Sequence, residues 1–191
     1  MIKSQIMIGN DIVDFNDLPN IERSLSKAFL QKICANSEID TIFKSESPEK
    51  TLWRIWSMKE SAYKVILKKG AERSFNPKKL ETSIFDQTLG QVLTKFGEIK
   101  CQSKITTDFV HSIAFFSNEI PFCLGEKKLI GHQSDFVRAS LMEDFQHKYP
   151  HVYSPRIEMR DTIPYLITDF DSIDISLSHH GNYVAWAFEC L

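Results

Sequence analysis

Two charged residues fall on the apolar side of a helix that the sequence predicts over residues 48–69. At about 100° per residue, Lys59 and Glu60 point into the same broad arc as the apolar side chains of this helix. That arc contains Leu52, Ile55, Trp56, Ala62, Tyr63, Ile66 and Leu67, whereas Arg54, Ser57, Ser61 and Lys68 take the opposite side. A charge that faces a core is unfavourable unless it is paired, hydrogen-bonded or bound to a metal. The Glu60 carboxylate therefore either forms a buried salt bridge or faces a functional site.

Lys64 is the nearest candidate partner of Glu60, because residues four apart lie on adjacent helical turns. An ion pair between them is the simpler interpretation of this spacing. The helical register is well supported, since Pro48 opens the predicted helix and Gly70 follows its last turn. Lys59 can pair with a core carboxylate or contact a phosphate, and we favour the structural role.

Asp11 is the second acidic residue with the potential for chemistry. A strand predicted over residues 5–8 ends at the turn Gly9-Asn10-Asp11, which leaves the Asp11 side chain at a strand end. An aspartate in this position either caps the turn or contributes to a site.

The composition excludes several classes of protein. The chain has 191 residues, of which 42% are apolar, and is long enough for one core or two small subdomains that share one. Its formal net charge of -2 argues against a dedicated nucleic-acid binder, and no apolar run is long enough to cross a membrane. The four cysteines are scattered without a CxxC pair, which predicts reduced thiols that fill apolar space in a cytoplasmic protein.

The hydrophobic periodicity predicts helices separated by groups of short strands. Further helices are expected at 21–34 and 134–148, and strands at 82–85, 90–96, 109–116, 156–160, 163–167, 173–178 and 182–189. Residues 119–133 are expected to connect two halves of the chain. The apolar segments 109–117 and 182–189 are weakly alike, and each closes a unit of one helix and several strands. We therefore expect an α+β fold made of two related halves.

Three separate motifs together resemble a known family. They are Ile8-Gly-Asn-Asp-Ile-Val-Asp14, Trp56-Ser-Met-Lys-Glu-Ser-Ala-Tyr-Lys64 and Ser176-Leu-Ser-His-His-Gly181. In this combination the chain resembles the 4'-phosphopantetheinyl transferases, whose patterns are a G-x-D strand end, a (W/F)-x-x-K-E-x-x-x-K helix and an S-x-S-H element. Residues 23–42 also resemble the segment that leads to this helix in the holo-acyl carrier protein synthases.

The order of the motifs indicates how the halves correspond to that family. In its larger, two-half members the S-H element precedes the G-x-D strand, whereas here it follows at the C-terminal end. Residues 1–118 resemble the second half of such a protein, and residues 134–188 resemble a shortened first half. The resemblance implies a circularly permuted pseudo-dimer, in which each half packs a long helix on a small antiparallel sheet. We expect a transferase half at 1–120 and a smaller half at 121–191. A monomer is favoured, and a trimer-forming synthase with a long insertion is the alternative.

The resemblance implies transfer of 4'-phosphopantetheine from coenzyme A to a serine of an acidic apo carrier protein, with release of adenosine 3',5'-bisphosphate. Asp11 and Glu60 then supply hard oxygen ligands for Mg2+, and Glu60 is also the candidate base for the serine hydroxyl. Lys64 would stabilise charge that develops on the phosphate. Ser178 and His179 would contact the phosphates of coenzyme A. The catalytic residues are thus Glu60 and Lys64, the metal ligands Asp11 and Glu60, and the coenzyme A contacts Lys64, Ser178 and His179.

Two positions depart from the family pattern. A second acid usually follows two residues after the first Asp, but Val13 stands there, so the third metal ligand is either Asp14 or a water. The Gly-Lys-Pro that often precedes the S-H strand reads Thr162-Ile163-Pro164 here. The phosphate contact of the missing lysine is then weakened, or shifts to Arg156, Arg160 or His180.

Two other functions remain open at this stage. One is a non-catalytic relative that binds coenzyme A or a carrier protein, and the other is a structural partner protein in which Glu60 and Lys64 form an internal salt bridge. The basic run Lys64, Lys68, Lys69, Arg73, Lys78 and Lys79 is either a solvated helix end or the surface on which an acidic carrier docks.

Overall fold

The computed structural model describes residues 7–116 and 122–191, which form two five-stranded antiparallel sheets. We call these ranges the first half and the second half. The first sheet contains β1 (Ile8–Asp14), β2 (Glu81–Ile84), β3 (Leu89–Thr94), β4 (Gly97–Ile105) and β5 (Phe109–Phe115), in the order β1-β5-β4-β3-β2. The second contains β6 (Phe122–Lys128), β7 (Arg156–Arg160), β8 (Ile163–Ile167), β9 (Ser172–His180) and β10 (Tyr183–Glu189), in the order β6-β10-β9-β8-β7.

The helices follow the same plan in both halves. In the first half, α1 (Leu18–Arg23), α2 (Lys27–Ile33), α3 (Asn36–Lys44) and the long α4 (Pro48–Lys68) lie between the first strand and the second. In the second half, α5 (Gln133–Lys148) occupies the corresponding place. In each half the last strand along the chain pairs with the first, β5 with β1 and β10 with β6. Strands β5 and β10 are the two segments whose sequences are weakly alike. The predicted α+β fold of two related halves is confirmed.

Strand β1 joins the two halves. One of its edges pairs with β5, and the other edge meets side chains of β9. The backbone amides of Ile8 and Asn10 donate to Asp174 Oδ2 at 2.7 Å and to Ser176 Oγ at 2.8 Å. The amide of Asp14 lies 3.2 Å from Nδ1 of His180, which accepts from it. Alternate side chains of β9 therefore satisfy the backbone groups that a neighbouring strand would otherwise pair.

Helix α4 is buried on two sides, which corrects the division of its residues in the sequence analysis. Arg54 is 4% exposed and Ser57 and Ser61 are fully buried. The Ser57 hydroxyl donates to the Asp11 carbonyl, and the Ser61 hydroxyl lies 3.0 Å from the Ser112 carbonyl. These small polar side chains let the helix approach β1 and β5 closely, because each hydroxyl replaces water at a backbone carbonyl.

Several predicted boundaries differ from the structure. Residues 9–11 lie inside β1 and do not form a turn, although residues 5 and 6 fall outside the described ranges. The predicted connection 119–133 contains β6, which pairs with β10; residues 119–121 of it are outside the described ranges. The predicted helix 21–34 is two helices, separated where Leu25 has a φ of 59°. Helix α3 and strand β4 were not predicted.

Three further expectations can be compared with the described residues. Cys34 and Cys101 are buried in the core as predicted, whereas the Sγ atoms of Cys123 and Cys190 lie 2.7 Å apart. None of the helices in the described ranges is long and apolar enough to span a bilayer. The boundary predicted between residues 120 and 121 falls outside the described ranges and stays a prediction.

Candidate active site

Asp11 faces α4 from the middle of β1. Its side chain is 16% exposed, and its backbone carbonyl accepts the Ser57 hydroxyl at 2.8 Å. Burial raises the pKa of Asp11 to about 7; the Lys64 charge lowers this pKa and the Glu60 charge raises it. The two carboxylates are therefore close enough to repel each other, and near neutral pH Asp11 is only partly ionised unless a cation neutralises the pair.

The Glu60 carboxylate has no hydrogen-bond or ion-pair partner among the described residues, 7–116 and 122–191. Burial raises its pKa, and the Lys64 charge opposes that shift. The simpler interpretation of the sequence, a Glu60–Lys64 salt bridge, is thus not found in the described part of the chain. An acidic group that is mostly buried but unpaired is typical of a site that receives a ligand.

Lys64 lies between the two halves. Its Nζ donates to the Asn10 carbonyl of β1 at 2.6 Å and to the Leu177 carbonyl of β9 at 3.1 Å. It also lies 3.9 Å from Asp11 Oδ1 and stays 29% exposed. Two backbone carbonyls thus hold the ammonium group beside the carboxylate pair, where part of its surface remains open to a ligand.

Lys59 has the structural role that the sequence analysis favoured. Its Nζ lies 2.6 Å from Glu38 Oε2, and both side chains are 1% exposed. The same ammonium donates to the carbonyls of Ile33 and Pro77 at 2.8 and 2.9 Å. The lysine that precedes Glu60 therefore ties α4 to the segments around it, away from the carboxylate pair.

Ser178 and His179 lie on opposite faces of β9, as successive residues of a strand do. The Ser178 side chain is buried, accepts from Asn10 Nδ2 at 3.0 Å and donates to the Ala185 carbonyl at 3.4 Å. His179 is exposed, and burial of part of its ring together with the Lys64 charge lowers its pKa. The structure thus brings His179 near Lys64 with its ring accessible, while the Ser178 hydroxyl is already occupied. The phosphate contact of Ser178 stays a prediction.

Asp14 is a buried structural residue and not a surface residue. Its carboxylate accepts hydrogen bonds from the Asn16 amide at 2.9 Å and from the amide and side chain of Asn182 at 2.9 and 3.1 Å. These contacts hold the β9–β10 turn against β1. Because three donors occupy this carboxylate, Asp14 is a poor candidate for a third metal ligand.

A cleft beside Lys64 contains the segment that departs from the family pattern. The cleft has a volume of about 170 Å³, and its lining includes Thr162, Ile163 and Pro164 from the start of β8. Of the residues considered as replacements for the missing lysine, Arg156 pairs with Glu158, Arg160 covers the ring of Tyr165, and His180 Nδ1 accepts from Asp14. Each of the three thus has a partner elsewhere.

The donor set of the site fits a hard divalent cation. Asp11 and Glu60 supply carboxylate oxygens, the ligands that Mg2+ prefers, and a cation would offset the burial and the Glu60 charge that raise the pKa of Asp11. Within the described ranges no group of three or more His, Cys, Asp or Glu side chains could hold a metal. A cation here would complete its coordination with waters or with oxygens of a phosphate substrate.

The fold and the site define an α+β protein with two related halves and a carboxylate pair beside a lysine at their boundary. A family model described as the 4'-phosphopantetheinyl transferase superfamily matches residues 7–114, which include Asp11, Glu60 and Lys64. The match covers more than half of the chain, so the protein belongs to the 4'-phosphopantetheinyl transferase superfamily. A comparison with curated protein sequences finds no match. Family membership confirms the predicted resemblance, and the matched residues contain two of the three motifs behind it, since Ser176-Leu-Ser-His-His-Gly181 lies outside them. Membership also supports a transferase that moves a phosphopantetheinyl group.

Proposed function

We propose that the protein transfers 4'-phosphopantetheine from coenzyme A to a serine of an apo carrier protein, depends on Mg2+ and releases adenosine 3',5'-bisphosphate. The observation that supports this reaction most directly is the position of Asp11, Glu60 and Lys64. Two carboxylates and one ammonium group face the same place between the halves.

Asp11 and Glu60 would hold the Mg2+. When bound, this ion would neutralise the negative charge of the pyrophosphate. Glu60 accepts the proton of the acceptor serine, a role that suits a carboxylate whose pKa is raised by burial. Lys64, fixed by the carbonyls of Asn10 and Leu177, stabilises negative charge on the phosphate oxygens. His179 donates to a further phosphate oxygen from its exposed ring.

We propose an acidic carrier protein as the acceptor. Lys69, Arg73, Lys78 and Lys79 are exposed at and after the end of α4, close in sequence to the proposed catalytic residues. A cluster of like charge attracts a partner of opposite charge and speeds its encounter. Lys68 does not belong to this surface, because its side chain is only 4% exposed.

A non-catalytic relative that binds coenzyme A is the second candidate. It is favoured by Val13, where family members carry an acid, and by Ile163, which lines the cleft where they carry a lysine. The intact pair of Asp11 and Glu60 favours the transferase. The cytoplasmic location and the monomeric state stay predictions.

Incubation of the protein with an apo carrier protein, coenzyme A and Mg2+, followed by mass spectrometry of the carrier, tests the proposal. We expect one phosphopantetheine per carrier, loss of transfer in EDTA, and no transfer by Glu60→Gln. Glu98→Gln is the matched control, because Glu98 is exposed on β4. A Glu60→Gln protein that transfers as fast as the parent would contradict the assigned roles. Coenzyme A binding by the parent without transfer to any carrier would favour the second candidate.

A further inference from the structure

A series of buried and partly buried polar contacts leads from the second half to the active site. It begins at Glu126 of β6, whose Oε2 lies 3.3 Å from Nδ1 of His111 on β5. The other ring nitrogen of His111, Nε2, lies 3.1 Å from Asn10 Nδ2 on β1. The Asn10 carbonyl accepts the Lys64 ammonium at 2.6 Å. Four residues from four elements are therefore connected, and the series ends beside Asp11.

Glu126 determines which nitrogen of the His111 ring carries the proton. A carboxylate accepts only, so Nδ1 must donate to it, and Nε2 is then free to accept from the Asn10 amide. The hydrogen bond from His111 lowers the pKa of Glu126 to about 2, which keeps Glu126 ionised, and burial lowers the pKa of His111, which favours the neutral ring. Lys104 also contacts Glu126. The contacts thus agree on one tautomer.

The tautomer of His111 in turn fixes Asn10. With Nε2 as an acceptor, the Asn10 amide nitrogen divides its two hydrogens between His111 and Ser178. Its oxygen Oδ1 is buried without a protein partner among the described residues. Such an unpaired oxygen is unfavourable, so the two contacts of the amide nitrogen must hold the amide in this orientation.

Asn10 connects this network to the proposed chemistry through its backbone. Its amide donates to Ser176 Oγ at 2.8 Å, its carbonyl receives Lys64, and the next residue is Asp11. A change in the packing of Asn10 would therefore move the carbonyl that positions the ammonium group and the strand that carries the carboxylate. Substitution of His111 or Glu126 would therefore affect the site even if neither side chain contacts a substrate.

We propose that Glu126, His111 and Asn10 are positioning residues that hold Lys64 and Asp11 in the arrangement required by the metal and the phosphate. The inference rests on the proposed function. It assigns roles to one buried histidine and one carboxylate from the opposite half, so the second half completes the site of the first. Supporting groups of this kind commonly change metal affinity or activity by about 10–100-fold.

Nitrogen NMR of the His111 ring tests the tautomer in the parent protein without any ligand. We expect the shift of a protonated nitrogen at Nδ1 and that of an unprotonated nitrogen at Nε2. Glu126→Gln should reduce the preference for this tautomer. A ring protonated at Nε2 alone would overturn the proposal, because Asn10 could not then donate to it.

Two substitutions at His111 separate its contacts. His111→Gln can place an acceptor near the position of Nε2 and keep the Asn10 bond, whereas His111→Asn reaches only to the position of Nδ1. For His111→Asn we expect Mn2+ affinity, measured by calorimetry on the free protein, and kcat to fall by about tenfold or more, with a smaller change in the KM for coenzyme A. His111→Gln should retain most of both. Measurements are made well below the Tm of each variant, and equal behaviour of the two variants would overturn the inference.

The same measurements distinguish this inference from the proposed function. If the parent binds Mn2+ but transfers nothing while His111→Asn binds it more weakly, the proposed function fails and the positioning role stands. If the parent transfers normally and His111→Asn matches it in both affinity and kcat, the positioning role fails alone. A parent that neither binds Mn2+ nor transfers would overturn both.

Discussion

Lys68 Nζ and Asp174 Oδ1 lie 2.7 Å apart, and both side chains are at most 4% exposed. The pair joins the last turn of α4 to β9. Lys68 also donates to the carbonyls of Ile8 and Ile175, and Asp174 Oδ2 accepts from the Ile8 amide. Burial lowers the pKa of Lys68 and raises that of Asp174, and the attraction between the two charges opposes both shifts. This ion pair therefore fixes β1 between the halves only one helical turn from Lys64.

Replacement of Lys68 by methionine is expected to destabilise the protein by about 3 kcal/mol or more, because it leaves the Asp174 carboxylate buried without its cation. Lys127→Met is the matched control, since the Lys127–Glu143 pair is exposed and should contribute less than about 1 kcal/mol. Denaturation by urea gives the two free energies of unfolding. Equal losses for the two variants would show that the buried pair has no special contribution.

The two lysines of the helix motif are expected to respond in opposite ways. Lys59→Met leaves Glu38 buried with the amides of Ala35 and Thr82 but without its cation, so stability should fall by about 3 kcal/mol while kcat of the folded protein changes little. Lys64→Met should change stability less and reduce transfer by about 100-fold. Parallel denaturation and transfer assays measure both. A large loss of kcat for folded Lys59→Met would assign that lysine to the chemistry.

Helix α4 is predictable from the sequence because its periodicity, its first proline and its terminal glycine are local signals. The burial of its opposite side is not predictable in this way. Ser57 and Ser61 are compatible with solvent in any single helix, and their actual partners are backbone carbonyls on β1 and β5. Asp174, the partner of Lys68, is 106 residues away in the chain. Contacts of this range depend on tertiary structure and leave no periodic signal.

The sequence allows the prediction that Ser178 and His179 lie on opposite faces of a strand. It does not allow a prediction of the hydrogen-bond network around Asn10. A strand of period two sends successive side chains to opposite faces, so only one of the pair could face a given ligand. Asn10 lies among the polar residues of β1, and nothing local indicates that His111 and Glu126 are near it. The spacing of the histidines does not indicate this network either, because Asn10, His111 and Glu126 come together from two sheets.

The stability of the metal-free protein should depend on pH through Asp11. The pKa of Asp11 is raised from 3.8 to about 7 in the folded state, so between these values the folded protein holds a proton that the unfolded chain has lost. The free energy of unfolding therefore falls as pH rises through this window, and the loss is complete above the folded pKa. Asp11→Asn removes this dependence.

In EDTA we expect Asp11→Asn to be more stable than the parent at pH 8 by about 1–3 kcal/mol, and this advantage should shrink towards zero near pH 4. Urea denaturation of both proteins across the pH range measures the difference. Addition of Mg2+ at pH 8 should stabilise only the parent. A constant difference between the two proteins at all pH values would contradict the raised pKa.

Gly9→Ala should disturb the site through the backbone. A Cβ at Gly9 would overlap the Ser61 carbonyl and lie 2.9 Å from the Lys64 Cβ, so β1 and α4 must separate and Asp11 must move away from Glu60. We expect a loss of stability of about 1–3 kcal/mol together with a clear loss of Mn2+ affinity in calorimetry. Gly97→Ala is the control, because its Cβ meets nothing within 4 Å but its φ of 103° is unfavourable for alanine. This control should lose stability and keep its affinity for Mn2+. If Gly9→Ala binds Mn2+ as tightly as the parent, the close approach of β1 to α4 does not determine the positions of the two carboxylates.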